Sequence, residues 1–263
     1  MYNEKARSFG MKVVLNLSGL VLFFGIWELV VALGLVSEKK LVAPSAIFVT
    51  FLDKLTNVVP DGNTIIVHTW TSLELVLLGF VLSCLIGVPL GLLMGFFQPA
   101  NRFFTPIFEI IRPIPPLAWI PIVIVVLGIG IQAEAFIIFV AAFVPCVINS
   151  YTGIQATSKT LLDVAKTAGA SKAQLFFKVG IPSALPMVFT GIKISFGSAW
   201  ATLVAAEMIA STVGLGFMIQ QGRNAVRPDI VILGMSVIGL IGALLTSLLS
   251  ILEKKALPWR NLK

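Results

Sequence analysis

Three ionisable side chains, Arg112, Lys193 and Glu207, are the ones expected to lie deepest in the apolar stretches of the chain. A charge held in a low-dielectric slab is costly enough to point to function, either binding a counter-charged solute or moving a proton or ion. Arg112 and Lys193 offer positive potential to an anion, whereas Lys193 with Glu207 would serve ion coupling. Each has a structural alternative. Glu109 lies three residues before Arg112, the spacing at which opposite charges meet on a helix, and Arg112 is near enough to a span end to reach the interface. Lys193 and Glu207 are fourteen residues apart on one span, about 21 Å at the rise of an α-helix, so each needs another partner, water or a solute. Pro113, Pro115, Pro116 and Pro121 follow Arg112 closely. Prolines remove backbone donors, and lipid tolerates a broken helix only where its freed carbonyls face protein or water. The sequence therefore predicts a broken helix at Pro115 and Pro116, lining a pathway or making a structural kink. Trp200, beside Phe196 in the span of Lys193, joins this candidate pathway set, although core packing explains both aromatics as well.

Other chemistry finds no support. No G-x-x-x-x-G-K-[ST] phosphate loop occurs, so any ATP must be bound by another chain. Gly128, Gly130 and Ala133 satisfy G-x-G-x-x-[GA], but they fall between two apolar spans with no acidic residue at the ribose position. His68 is the one histidine, and Cys84 and Cys146 the two cysteines; together they do not assemble the usual zinc sets. Both thiols sit in apolar runs, where a structural disulfide is not expected. No nucleophile and base pair is apparent, so catalytic residues, metal and resident cofactor are all expected to be absent from this chain.

The elements that must position these residues are membrane helices. Of the 263 residues, 57% are hydrophobic and 12% charged, about half the charge of an ordinary soluble domain. The net charge is +7, without the interleaved basic and aromatic pattern of a nucleic-acid surface. Six stretches are long enough to cross about 30 Å of hydrocarbon: approximately 13–35, 73–97, 104–127, 133–150, 183–210 and 230–252. The first, preceded by Lys5, Arg7 and Lys12, is too long for a cleaved leader. With the N-terminus inside, twelve cations face the cytoplasm: Lys5, Arg7, Lys12, Arg102, Lys159, Lys166, Lys172, Lys178, Lys254, Lys255, Arg260 and Lys263. Five lie outside, namely Lys39, Lys40, Lys54, Arg223 and Arg227. Positive charge is retained on the cytoplasmic side, so both termini are expected inside. The expected organisation is one all-α membrane domain, 1–263, with a short surface helix in the external connection 36–72. Gly87, Gly91 and Gly95 recur at the spacing that lets membrane helices approach closely.

The cytoplasmic connection 151–182 carries the most specific pattern. Its segment TLLDVAKTAGASKAQLFFKVGIP, Thr160 to Pro182, has helical spacing on either side of Gly169, with Ser171 as an N-cap. Two short helices joined by a glycine corner are expected. Asp163, Val164, Ala165, Gly169, Ala170, Val179 and Pro182 resemble the EAA loop of permease subunits of bacterial ABC importers, with Asp163 and Val164 where that family usually has glutamate and alanine. The runs from Arg112 to Gly130 and from Ala201 to Ile219 are similar to the nitrate, sulfonate and taurine importer permeases, the taurine permeases in particular. The similarity covers most of the chain from Leu73 onward.

This resemblance implies the six-helix fold of the small ABC importer permeases, with a cytoplasmic coupling-helix loop. It implies a second permease copy as a homodimer, two ABC ATPase subunits that bind ATP and Mg, and an extracytoplasmic substrate-binding protein. It places the chain in the bacterial inner membrane. By analogy, Gly214, Gly216 and the FMIQQ run after them form a bent element near an external gate. The expected function is inward passage of a small anion, taurine or another sulfonate first, with nitrate, bicarbonate and thiamine precursors as alternatives. A secondary transporter or channel, coupled through Glu207 and Lys193, is the competing expectation.

Overall fold

The computed structural model describes the backbone of residues 2–37 and 41–258, with the side chains of 15, 18–37 and 41–258. Lys5, Arg7, Lys12, Lys39, Lys40, Arg260 and Lys263 of the charge distribution lie outside the described side chains. The described residues form helices and no strand: α1 (Tyr2–Ala32), α2 (Pro44–Lys54), α3 (Ile65–Phe96), α4 (Gln98–Ile111), α5 (Ile120–Leu127), α6 (Ile131–Gln155), α7 (Lys159–Thr167), α8 (Lys172–Gln174), α9 (Ile181–Ala210), α10 (Leu215–Asn224) and α11 (Pro228–Ala256). A 3₁₀ turn, Pro116–Trp119, precedes α5, and a π-helical turn, Leu175–Gly180, joins α8 to α9.

Among the described residues, α3, α6, α11 and the continuous run Lys172–Ala210 are long and apolar enough to cross a membrane. The third expected span is a pair of helices, α4 and Pro116–Leu127, bent by 83°. Pro115 and Pro116 make that break, because neither can donate to the helical ladder. α1 adds a shorter apolar stretch, Ser18–Ala32. The second span starts at Ile65, not near Leu73, so the polar connection before it is shorter than the sequence implied and holds the expected surface helix as α2.

The chain divides into two compact units. In the first, residues 1–66 and 218–237, Ser45 at the start of α2 donates its N–H and hydroxyl to the Glu28 carboxylate at 3.1 and 2.6 Å. Thr50 donates to Asp229 at 3.0 Å, and Asp229 accepts two bonds from Arg227 at 2.9 and 2.6 Å. Lys54, one of the cations assigned to the external side, is only 1% exposed. Its ammonium lies 2.6 Å from Asp61 and 2.9 Å from the Asn63 carbonyl, which replace the water it has lost.

The second unit, residues 67–217 and 238–263, is organised around α6. Gly87, Gly91 and Gly95 of α3 lie against Cys146, Val147, Ser150, Tyr151 and Ile154 of α6. A Cβ at Gly87 would stand 2.9 Å from the Cys146 Cβ, and one at Gly91 would strike the Val147 carbonyl oxygen. The small-residue spacing therefore serves packing within this chain. α6 meets α9 on its other side, where Gly153 faces Met187 and Gly191 faces Asn149. Leu75, Val76, Phe80, Ile138, Phe196 and Leu203 fill one buried cluster of this unit, and Leu92, Ile154, Phe176 and Val188 another. The two thiols are free, with Cys84 and Cys146 sulfurs 3.7 Å apart across the α3–α6 seam.

Gly91→Val is expected to force α3 and α6 apart and to destabilise the protein by about 2–3 kcal/mol, in the range of core overpacking. Gly25→Ala, whose added methyl meets nothing within 4 Å, should leave stability unchanged. Thermal unfolding in detergent, followed by size-exclusion chromatography, checks the contrast.

Candidate functional site

At one end of the second unit, the turn from α9 into α10 is held by side chains. Gly214 takes φ +143°, open to glycine and strained for other residues. Its N–H donates to His68 Nδ1 at 2.9 Å, the Leu215 N–H to Ser72 Oγ at 2.9 Å, and the Gly216 N–H to Glu207 Oε2 at 2.7 Å. Ser72 donates in turn to Glu207 Oε1 at 2.5 Å. Three consecutive backbone donors at a helix start, which a lipid surface would leave unsatisfied, thus find acceptors from α3 and α9. A Cβ at Gly214 would collide with the Glu207 carboxylate, which fixes glycine there. Glu207 and His68 are fully buried in this arrangement.

The other candidate pathway residues separate. Lys193 lies 2.5 Å from the Glu253 carboxylate, joining α9 to the last turn of α11. Arg112, half exposed at the end of α4, lies 3.5 Å from Glu109. Both also line a cavity of about 220 Å³ with Thr105, Phe108 and Tyr151. Pro115 and Pro116 occupy the bend itself. Trp200 stacks on Phe196 with ring centroids 6.0 Å apart, and a Cβ at Gly242 of α11 would stand 2.6 Å from its indole nitrogen. The sequence did not single out Ser72 or Glu253. Both fall one residue outside the expected spans 73–97 and 230–252, and nothing local to either points to its partner on a distant helix.

The connection between α6 and α9 forms a rigid corner. α7 ends at Ala168, Gly169 turns with φ +82°, and two bonds close the end: Gly169 N–H to the Lys166 carbonyl at 2.9 Å and Ala170 N–H to the Ala165 carbonyl at 3.0 Å. This double closure around a left-handed glycine is the Schellman arrangement. Ser171 then caps α8 reciprocally: its N–H donates to Gln174 Oε1 at 2.8 Å, and its Oγ accepts from the Gln174 N–H at 3.3 Å. Phe176 anchors the corner, its ring 5.1 and 5.2 Å from Phe96 and Phe97. Val179 is half-buried in the π turn and Pro182 opens α9, where its missing N–H is harmless. Asp163 and Val164 are exposed on α7, Asp163 3.0 Å from Lys166.

Replacing Glu207 by Ala is expected to cost roughly 3 kcal/mol, since two buried donors lose their acceptors. Glu207→Gln, which keeps one carbonyl acceptor, should cost less. Lys193→Met should lower stability by about 1–2 kcal/mol, less than for a fully buried pair because the Lys193 side chain keeps 31% exposure. The exchanged pair Lys193→Glu with Glu253→Lys should recover more than half of that loss. Unfolding midpoints of the four purified variants check both statements.

Residues 87–257 match the family described as binding-protein-dependent transport system inner membrane component. The chain is 34% identical to the taurine transport system permease protein TauC of Escherichia coli, over 99% of this chain and 98% of that protein. It is 35% identical to the nitrate import permease protein NrtB of Synechocystis, over 73% of this chain and 70% of that one. Among solved structures, an inward-facing conformation of the MetNI methionine ABC transporter superposes with a TM-score of 0.55 at 22% identity. That overlap covers 68% of this chain and 93% of the other, a likeness of fold. The chain belongs to the family of binding-protein-dependent transport system inner membrane components.

Proposed function

We propose that this chain is the permease subunit of an ATP-driven importer, and that it carries a small sulfonate, taurine foremost, into the cytoplasm by alternating access. The observation that carries the reading is the 158–182 corner. Leu161 and Val164 are exposed on α7, 54% and 64%, and Thr160, Asp163, Val164, Thr167 and Ala168 line a shallow recess. A capped, glycine-locked corner presents that face at fixed geometry and continues through the π turn into α9, as a docking lever requires. In this reading two ATPase subunits, holding ATP and Mg, dock on Asp163 to Pro182 of a permease homodimer, and an external binding protein delivers the solute. The loop and both termini face the cytoplasm of a bacterial cell.

The relatives named for taurine and nitrate support an oxyanion as cargo. The Arg112 and Glu109 pair beside the α4 bend supports a small zwitterion in particular: a guanidinium suits a sulfonate and a carboxylate suits an ammonium. The ion-gradient alternative drew on Lys193 and Glu207 as coupling residues. Lys193 faces Glu253, and Glu207 accepts from Ser72 and Gly216, which favours structural work for both.

Space around Gly169 is open, with nothing within 4 Å of an added Cβ, but its φ of +82° strains any other residue, so a side chain there distorts the docking corner itself while touching nothing in the membrane helices. Gly169→Asp is expected to abolish ATP-driven uptake and co-purification of the ATPase, while the variant still inserts and elutes as the wild type does. Uptake in proteoliposomes with the ATPase and binding protein provides the measurement; normal transport by the variant would overturn the docking assignment. Arg112→Gln should raise the KM for taurine about tenfold or more, the loss of one charge-assisted contact, with little change for a permeating solute that bears no anion.

A further inference from the structure

A second recess, of about 640 Å³, opens where α3, α4, α6 and α7 meet. Three lysines line it, Lys159, Lys166 and Lys172, and no carboxylate does among the described residues. Thr157 is part of the same wall; it is 8% exposed, and its hydroxyl finds no hydrogen-bond partner among the described residues. A buried hydroxyl in that state is costly unless something outside the protein completes it. Two helices begin here, α4 at Gln98 and α7 at Lys159, and neither N-cap residue, Phe97 or Ser158, supplies a side-chain cap. Helix N-termini carry outward N–H groups and partial positive charge, both suited to an anion.

The recess also has an apolar side. Phe96, Phe97, Leu162 and Leu175 contribute to its lining. Two spans end at it, α3 at Phe96 and α6 at Gln155, so it lies at the level where hydrocarbon gives way to headgroups. Cations, helix N-termini and an orphan hydroxyl at that depth, together with Phe96 and Phe97 in the lining, match a phosphate diester with acyl chains attached. Basic pockets between membrane helices take lipid headgroups of this kind. Lys166 is shared with Asp163 at 3.0 Å, so Lys159 and Lys172 carry the charge that a ligand would meet.

We infer that this recess binds the phosphate headgroup of an anionic phospholipid through Lys159, Lys172 and the Thr157 hydroxyl. Such a lipid would brace the base of the 158–182 corner from its membrane side, opposite the face offered by Val164. The inference needs a membrane boundary at Phe96 and Gln155, and it holds whether or not an ATPase docks on α7.

Native mass spectrometry of the delipidated full chain in detergent tests it, with phosphatidylglycerol, phosphatidylcholine and inorganic phosphate as separate probes. The wild type is expected to bind phosphatidylglycerol at least tenfold more tightly than phosphatidylcholine, about the effect of one to two surface lysines. Lys159→Gln with Lys172→Gln should bring the two lipids within about twofold of each other, and Thr157→Val should weaken phosphatidylglycerol several-fold without touching a charge. Lys255→Gln, outside the recess, should change neither. Equal binding of both lipids by the wild type, or an equal loss in Lys255→Gln, would overturn the proposal. Displacement of the lipid by inorganic phosphate at equal concentration would assign the site to a soluble anion. Loss of ATPase co-purification with lipid preference intact in the double variant would make the recess a protein contact, which likewise overturns it.

Discussion

In lipid, an apolar side chain gains little by turning inward, because the tails outside are as apolar as the protein within. What holds helices together is then close van der Waals approach, and α6 is where this chain achieves it. Gly87, Gly91 and Gly95 bring α3 against one side of α6, and Gly153 and Gly191 bring α9 against another. Larger residues at these positions would hold the backbones apart and lose dispersion contacts along whole turns. With α6 fixed between two neighbours, its ends become reliable mounting points. The bent α4–α5 pair enters it at Gly130, and the 158–182 corner leaves it at Gln155.

A second constraint governs what happens at those ends. Near lipid, each helix break frees backbone donors and acceptors that water does not readily satisfy. The chain answers differently at each break. At Gly214 to Gly216, three side chains from two other helical turns accept the free N–H groups. At Gly169, the backbone closes on itself, and Ser171 with Gln174 completes the restart. The first solution needs partners in space, whereas the second is local. A change at Glu207 therefore disturbs α3, α9 and α10 together, while the 167–174 corner tolerates surface variation as long as glycine stays at its turning point.

That difference also explains what was legible in the sequence. The corner at Gly169, the cap at Ser171, the surface helix at 44–54 and the break at Pro115 and Pro116 follow from local residue chemistry, and all are in place. The resemblance of Asp163 to Pro182 carried the family, which residues 87–257 and the relatives support. Partners distant in sequence were not legible. Glu207 and Ser72 are 135 residues apart, and Lys193 and Glu253 are 60; hydropathy marks each residue as anomalous without naming its mate. The partners of Lys54 were equally hidden: its charge counts toward the external set, and nothing in the local sequence says that Asp61 and Asn63 bury it. The start of α3 is hidden in the sequence because Thr64, His68 and Ser72 look like connection, yet His68 and Ser72 are buried acceptors.

The long helical run joins these themes. Lys172 to Ala210 is one run of 39 residues, close to 58 Å at about 1.5 Å per residue. It begins under the Ser171 cap, carries Lys193 partway along, and ends one turn beyond Glu207. Pro186 gives up one ladder bond inside α9, and in the π turn at Leu175–Gly180 an extra residue loosens the i to i−4 ladder. Bending is cheapest there, because beyond it α9 is held by α6 and by the pair with Glu253. The corner on one side of the π turn is a compact local unit, closed by its own backbone and capping bonds. The run that begins at the capped corner thus ends just past the carboxylate that sets the geometry of the Gly214 turn.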